Sequence, residues 1–234
     1  MMRYCFTSSL LIALFACSQK ETITTIPPVP AQPAASVYTW LVLGDSYSIG
    51  QGVTEAERFP AQTVTLLLQQ GLAFQQPTYI ATTGWTTGNL QYGINSANPN
   101  PHTIVSLLIG VNDQYTRRDT IGYRERFTQL LVKSIELAKG KKQNVFVLSI
   151  PDYSVTPFAA SYDTARIRLE LDWFNAINRN VTSAYGCPYL DITASSKEAR
   201  YNRSLLASDG LHPSGVLYKQ WADRLAPLII QALK

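Results

Sequence analysis

The chain has 234 residues, 46% of them hydrophobic and 15% charged, which fits one core-forming domain with some terminal material and excludes a largely disordered chain. The formal net charge is +4, but the basic residues are scattered. The one short cluster (Lys139, Lys141 and Lys142) falls where a helix is expected to end, where cations complement the helix dipole, so no nucleic-acid partner is implied. With two histidines, His102 and His212, and three cysteines in all, no metal-ligand cluster can be assembled, and no metal or cofactor is expected.

The first expected element is a targeting segment over residues 1–16. Arg3 supplies the positive start, and residues 6–16 form an apolar run of signal-peptide length, shorter than the about 20 residues a spanning helix needs. It ends in Leu14-Phe15-Ala16-Cys17, which resembles a bacterial lipobox with a bulkier residue than usual at Phe15. That resemblance implies lipidation of Cys17, anchoring in the membrane and a place in the bacterial cell envelope; the alternative is an ordinary secretory signal with an incidental cysteine. Residues 17–36 then read as the lipidated cysteine and a linker, in which Pro27, Pro28, Pro30 and Pro33 lie among small polar residues. Extended at about 3 Å per residue, it makes a tether on the order of 50 Å. With Cys5 removed and Cys17 modified, Cys187 is left as a buried, inert thiol.

From residue 37 to 234 the pattern alternates strand and helix. Apolar runs at 39–43, 78–81, 104–109, 145–150 and 189–192 read as buried strands. Helices are expected at about 58–70, closed by Gly71; at 121–139, with Phe127, Leu130, Leu131, Ser134, Leu137 and Ala138 on one face and Gly140 as stop; at about 165–184, with Leu169, Trp173, Ile177 and Val181 four residues apart; and from about Ser214 onward, with Leu217, Trp221, Leu225, Leu228 and Ile229 on one side. Pro227 is expected to kink or shorten the last. The fold class is therefore α/β: a three-layer α/β/α sandwich on a five-stranded parallel sheet, with ligands outside the carboxyl ends of the strands.

Four loops at those ends or before a helix carry distinctive residues: Gly44-Asp45-Ser46-Tyr47, Thr83-Gly84-Trp85, Gly110-Val111-Asn112-Asp113 and Asp209-Gly210-Leu211-His212-Pro213. Each alone is ordinary turn chemistry, and Ser46 alone reads as a helix N-cap. In this order they resemble the SGNH (GDSL-type) hydrolase family, whose members carry Ser, Gly, Asn and His in four blocks, and the resemblance runs from Trp40 to the last helix. Tyr47 departs from the leucine of the naming motif. The resemblance implies a flavodoxin-like fold and a serine-dependent carboxylic ester hydrolase.

The residue types suit that chemistry. A neutral serine hydroxyl needs a base to take its proton as it attacks, and His212 is suited to this by its near-neutral ordinary pKa. Asp209, three residues earlier, can fix the imidazole tautomer; Asp152 is a rival for that role. For the oxyanion, the resemblance assigns the backbone N–H groups of Ser46 and Gly84 and the side-chain amide of Asn112. Asp45 and Asp113 are expected to brace loops, and His102 to be exposed and idle. The loop 151–162, with Tyr153, Phe158 and Tyr162, lines a pocket or packs on itself. The expected substrates are small-molecule or glycan esters: short-chain acyl esters, acetylated glycans or lysophospholipids. Acyl transfer at the same site, and a non-catalytic glycan-binding surface lipoprotein, are the alternatives. A Gly-x-Ser-x-Gly elbow is absent from the sequence, which argues against an ordinary α/β-hydrolase.

Overall fold

The run Trp40-Leu41-Val42-Leu43-Gly44 is apolar without alternation, as a strand covered on both faces must be, and it forms the fully buried strand β1 (Trp40–Gly44). A computed structural model of the chain describes residues 1–2, 37–116 and 120–234. The targeting segment, Cys17 and the linker of the sequence reading lie outside the described residues. Four further strands follow: β2 (Thr78–Ala81), β3 (Ile104–Leu108), β4 (Val145–Leu148) and β5 (Tyr189–Leu190). All pair in parallel, in the order β2-β1-β3-β4-β5. The register sets Val42 beside Ser106, and the Ser106 hydroxyl takes the indole N–H of Trp40 at 3.0 Å, so the one polar side chain inside β3 is satisfied.

Eight α-helices complete the described fold: α1 (Ser46–Ile49), α2 (Phe59–Gln69), α3 (Thr87–Ala97), α4 (Val111–Thr116), α5 (Thr120–Leu137), α6 (Thr164–Tyr185), α7 (Thr193–Lys197) and α8 (Gly215–Ala232). On one side α2 packs against α8, with the Phe59 ring 6.0 Å from that of Trp221. On the other, α5 packs between α3 and α6, with the Tyr123 ring 4.4 Å from that of Phe174. Helices therefore cover both faces of the sheet, the α/β/α sandwich read from the sequence. The expected face of α5 is buried throughout, and Lys139 and Gly140 end it in left-handed backbone (φ 58° and 75°).

Several expectations are corrected. On α6, Leu169 and Trp173 are about half exposed, while Ile167, Leu171, Phe174, Ile177 and Val181 are buried. A strict four-residue step advances about 40° per repeat around the helix, so the stripe leaves the core; alternating steps of three and four keep it there. Helix α8 continues through Pro227 to Ala232, so the proline does not end it. The fifth strand is two residues long and not four, because Asp191 turns away to accept the Thr193 N–H and the Arg179 guanidinium. His102 is half-buried rather than exposed, and burial with the nearby Lys139 cation lowers its pKa. Helices α3 and α4 have no counterpart among the expected elements.

The strand order places a topological switch between β1 and β3, whose crossovers leave in opposite directions and open a crevice at their carboxyl ends. Residues 45–47 follow β1 and residues 109–113 follow β3, so the fold itself puts Ser46 and Asn112 at the crevice.

Candidate active site

Ser46 is the first residue of α1. Asp45 caps that helix, its Oδ1 accepting the Tyr47 N–H at 3.0 Å, which turns the chain sharply out of β1. The Ser46 hydroxyl then lies 2.9 Å from His212 Nε2, and His212 Nδ1 lies 2.6 Å from Asp209 Oδ2. The other Asp209 oxygen accepts the backbone N–H groups of Leu211 and His212, each at 2.9 Å. Both oxygens of one carboxylate thus hold the loop and the ring. The imidazole is further pressed by the Tyr47 ring, 5.3 Å between centroids. Asp152 lies elsewhere: its Oδ1 accepts the Ser154 N–H, and its Oδ2 faces Arg168 and Lys197 at 3.8 and 3.9 Å.

Gly84 follows β2 with φ +82°, a left-handed conformation that a Cβ would strain. The position a Cβ would take is open space, which keeps the backbone accessible beside the cleft. Asn112, second residue of α4, donates from Nδ2 to the Trp85 carbonyl at 3.0 Å, tying the two loops together. Asp113 fastens the same junction from beneath. Fully buried, it accepts the Thr87 N–H at 2.7 Å and the Thr87 hydroxyl at 2.6 Å, with Arg126 Nη2 at 3.4 Å. Thus Asp45 and Asp113 brace loops, as read from the sequence.

A third connection was not legible in the sequence. In the turn after α1, the Gln51 N–H donates to the Ser46 carbonyl at 3.0 Å, and Gln51 Oε1 accepts the Thr83 hydroxyl at 2.8 Å. The turn therefore joins the Ser46 loop to the Gly84 loop.

Ser46, Asn112 and His212 face a cleft of ≈90 Å³ whose apolar walls include Val111, Tyr115, Tyr153, Phe158 and Leu211. Both readings of the loop 151–162 hold in part. Tyr153 and Phe158 line the cleft, while Tyr162 stands outside its lining and stacks on Phe158 with ring centroids 5.7 Å apart. Tyr115, on α4, joins the aromatic wall, and the Tyr153 hydroxyl donates to Gln114 Oε1 at 2.9 Å.

The electrostatics separate the two carboxyls nearest the serine. Burial pushes Asp209 up, but the hydrogen bonds from the His212 ring and from the His212 and Leu211 amides outweigh it, and the group stays below its ordinary value. Such a group is an anion at neutral pH, able to stabilise an imidazolium beside it. Asp45 goes the other way: burial, with the nearby Asp113 charge, raises it to about 8 despite the Tyr47 N–H bond. The third acidic group of interest, the buried Cys187 thiol, is raised by burial to about 11, the inert cysteine expected.

Residues 42–220 match the GDSL-like lipase/acylhydrolase family, a span that contains Ser46, Gly84, Asn112, Asp209 and His212. The chain belongs to that family. It is accordingly an SGNH-type carboxylic ester hydrolase. Among solved structures, the chain is similar to the psychrotrophic esterase EstA from Pseudoalteromonas sp., described as inhibited by monoethylphosphonate. The two are 16% identical, with 84% of this chain and 98% of that one covered and a TM-score of 0.61. A variant of the acetyl xylan esterase Axe2 from Geobacillus stearothermophilus is 18% identical, with 82% and 94% covered and a TM-score of 0.60. A member of the lipolytic protein G-D-S-L family from Veillonella parvula is 18% identical, with 84% and 97% covered and a TM-score of 0.61. At such identities these likenesses show the shared fold. No curated protein sequence matches the chain.

Proposed function

We propose that this GDSL-like hydrolase cleaves short-chain acyl esters through a covalent acyl-enzyme on Ser46. The observation that carries the reading is the continuous line from Ser46 Oγ through His212 to Asp209, at 2.9 and 2.6 Å. As Ser46 Oγ bonds to the ester carbonyl carbon, its proton passes to His212 Nε2, and Asp209 stabilises the imidazolium. The carbonyl oxygen becomes an oxyanion facing the backbone N–H groups of Ser46 and Gly84 and the Asn112 amide. Collapse breaks the bond to the alcohol, which leaves with the proton from His212. Water then attacks the acyl-Ser46 ester, again giving its proton to His212, and the carboxylic acid departs as Ser46 regains its proton.

The size and apolar walls of the cleft support an acyl group of a few carbons. Acetylated glycans are included in this reading, as the name of the acetyl xylan esterase Axe2 suggests; lysophospholipids bring an acyl chain that outgrows the cleft. The proposed setting is the bacterial cell envelope, with Cys17 lipidated and residues 18–36 as the tether. This rests on the lipobox resemblance alone. Radiolabelled palmitate that persists in a Cys17→Ala chain contradicts it.

The test of mechanism is a panel of aryl esters of increasing acyl length, with Ser46→Ala as the control. Turnover should fall by at least about 10⁴-fold in the variant, and a fluorophosphonate should label Ser46 in the parent protein. Unchanged turnover in Ser46→Ala sinks the mechanism.

A further inference from the structure

A second groove begins beside the oxyanion side of the cleft. It lies between β2 and α3, is open to solvent with a volume of ≈390 Å³, and carries the aromatic rings of Trp85 and Tyr92 with the side chains of Thr82 and Ser96. Its connection to the chemistry is covalent and short: Trp85 follows Gly84, and the Trp85 carbonyl accepts the Asn112 amide at 3.0 Å. Yet the indole itself lines this groove and not the catalytic cleft. It is seated on α3 at Gly93, where a Cβ would stand 2.4 Å from the ring, so the absence of a side chain there lets the indole lie against the helix. Tyr92, on the same helix, is 76% exposed. One such ring would mean little on a protein surface; two, with two hydroxyls, in one groove that opens at the oxyanion loop point to a ligand.

The chemistry of the lining narrows the ligand. No charged side chain lines the groove, which disfavours phosphates, nucleic acids and acidic peptides, all of which need cationic partners. Flat aromatic faces stack on the C–H faces of sugar rings, and the Thr82 and Ser96 hydroxyls can donate to or accept from sugar hydroxyls. Strand β2 pairs with β1 alone among the described strands, so one row of its backbone N–H and C=O groups faces away from the sheet and adds further polar partners.

We propose that this groove holds a neutral glycan chain whose esterified ring reaches the catalytic cleft, an inference that rests on the ester-hydrolase reading above. The groove binds the alcohol part of the substrate, leaving the cleft to the acyl group. The enzyme should then gain from each sugar bound beyond the esterified one, chiefly through KM.

The experiment compares acetylated xylo-oligosaccharides of increasing length with phenyl acetate, using the full chain and its Tyr92→Ala and Ser96→Glu variants. In the parent protein kcat/KM should rise with oligosaccharide length. In each variant the ratio of kcat/KM for the longest oligosaccharide to that for phenyl acetate should fall, by about fivefold or more. A rise with length that survives in both variants, or no rise in the parent protein, overturns the groove assignment while leaving ester hydrolysis standing. Loss of all esterase activity in the parent protein would instead overturn the reading on which it rests. A third outcome also overturns the saccharide assignment: aryl esters that improve with acyl length, and lose that gain in Tyr92→Ala, would put an acyl chain in the groove.

Discussion

Gly52 stands directly behind Asp209: a Cβ on Gly52 would lie 3.3 Å from Asp209 Oδ2, the oxygen that holds His212, and 2.8 Å from Ala207 Cβ. Its φ of +86° is in the left-handed region, so a side chain meets both strain and a clash. Gly52→Ala should destabilise the fold by about 1–3 kcal/mol and, by displacing the carboxylate, lower kcat by about tenfold or more. Urea unfolding and aryl-ester kinetics on the same sample separate the two effects. A variant less stable but unimpaired in kcat would show that Gly52 serves the backbone turn and not the Asp209–His212 pair.

Asn112→Ala removes a proposed oxyanion donor and leaves the Trp85 carbonyl without its partner. The expected loss is about 10²–10³-fold in kcat with little change in KM, because the interaction strengthens as charge develops on the carbonyl oxygen. A loss confined to KM would assign Asn112 to ground-state binding.

The candidate catalytic residues could be picked out because the topology sends each to one edge. Ser46 and Asn112 directly follow apolar runs that can only be buried parallel strands, and Asp209 sits three residues before His212. What could not be read has a physical cause in each case. Helix α3, Thr-Gly-Asn-Leu-Gln-Tyr-Gly-Ile-Asn-Ser-Ala, buries Thr87, Leu90 and Ile94 at helical spacing, but with two aliphatic side chains and two glycines its propensity is too low to mark it. It is held from its start, by the capping box of Thr86 with Asn89 and by Asp113 taking the Thr87 N–H from 26 residues away. The Gln51–Thr83 bridge likewise joins residues 32 apart, and such pairs exist only once the strands are in order. Half-burial of His102 follows from its backbone N–H docking on the Leu137 carbonyl at the end of α5, another long-range contact.

Asp45 makes stability depend on pH in an uncommon direction. Its carboxyl is raised by burial to about 8 in the fold, against an ordinary 3.8, and its Oδ2 has no hydrogen-bond partner among the described residues. Between those values the folded chain keeps a proton that the unfolded chain has released. Stability contributed by this group therefore falls as pH rises from about 4 to 8, and is level beyond either end. Asp45→Asn removes the titration while keeping an acceptor for the Tyr47 N–H. Relative to the parent, the variant should gain on the order of 4 kcal/mol between pH 5 and pH 8, read from urea unfolding at each pH. The depressed Asp209 is present in both proteins and cancels from the difference. Parallel stability curves for the two proteins would show that Asp45 is ionised in the fold.

Leu211, Tyr47 and Tyr153 each line two spaces at once: the catalytic cleft, and a small void of ≈10 Å³ bounded also by Pro151, Asp152, Thr156, Ser196 and Leu217. They form the partition that ends the cleft. Of the three, Leu211 can be shortened with least disturbance to the chemistry, since Asp209 holds its backbone N–H and not its side chain. Leu211→Ala should lengthen the cleft by the space of the removed side chain and admit a longer acyl chain, because a cavity left by an apolar side chain accepts the apolar group that fills it. On aryl esters, the parent protein should favour acetate and butyrate over octanoate. In the variant the ratio of kcat/KM for octanoate to that for acetate should rise, by about tenfold if two to three methylene groups enter the new space at about 0.8 kcal/mol each and part of that is lost to ordering the chain. If the ratio instead falls for every ester alike, the partition supports His212 and does not set acyl length.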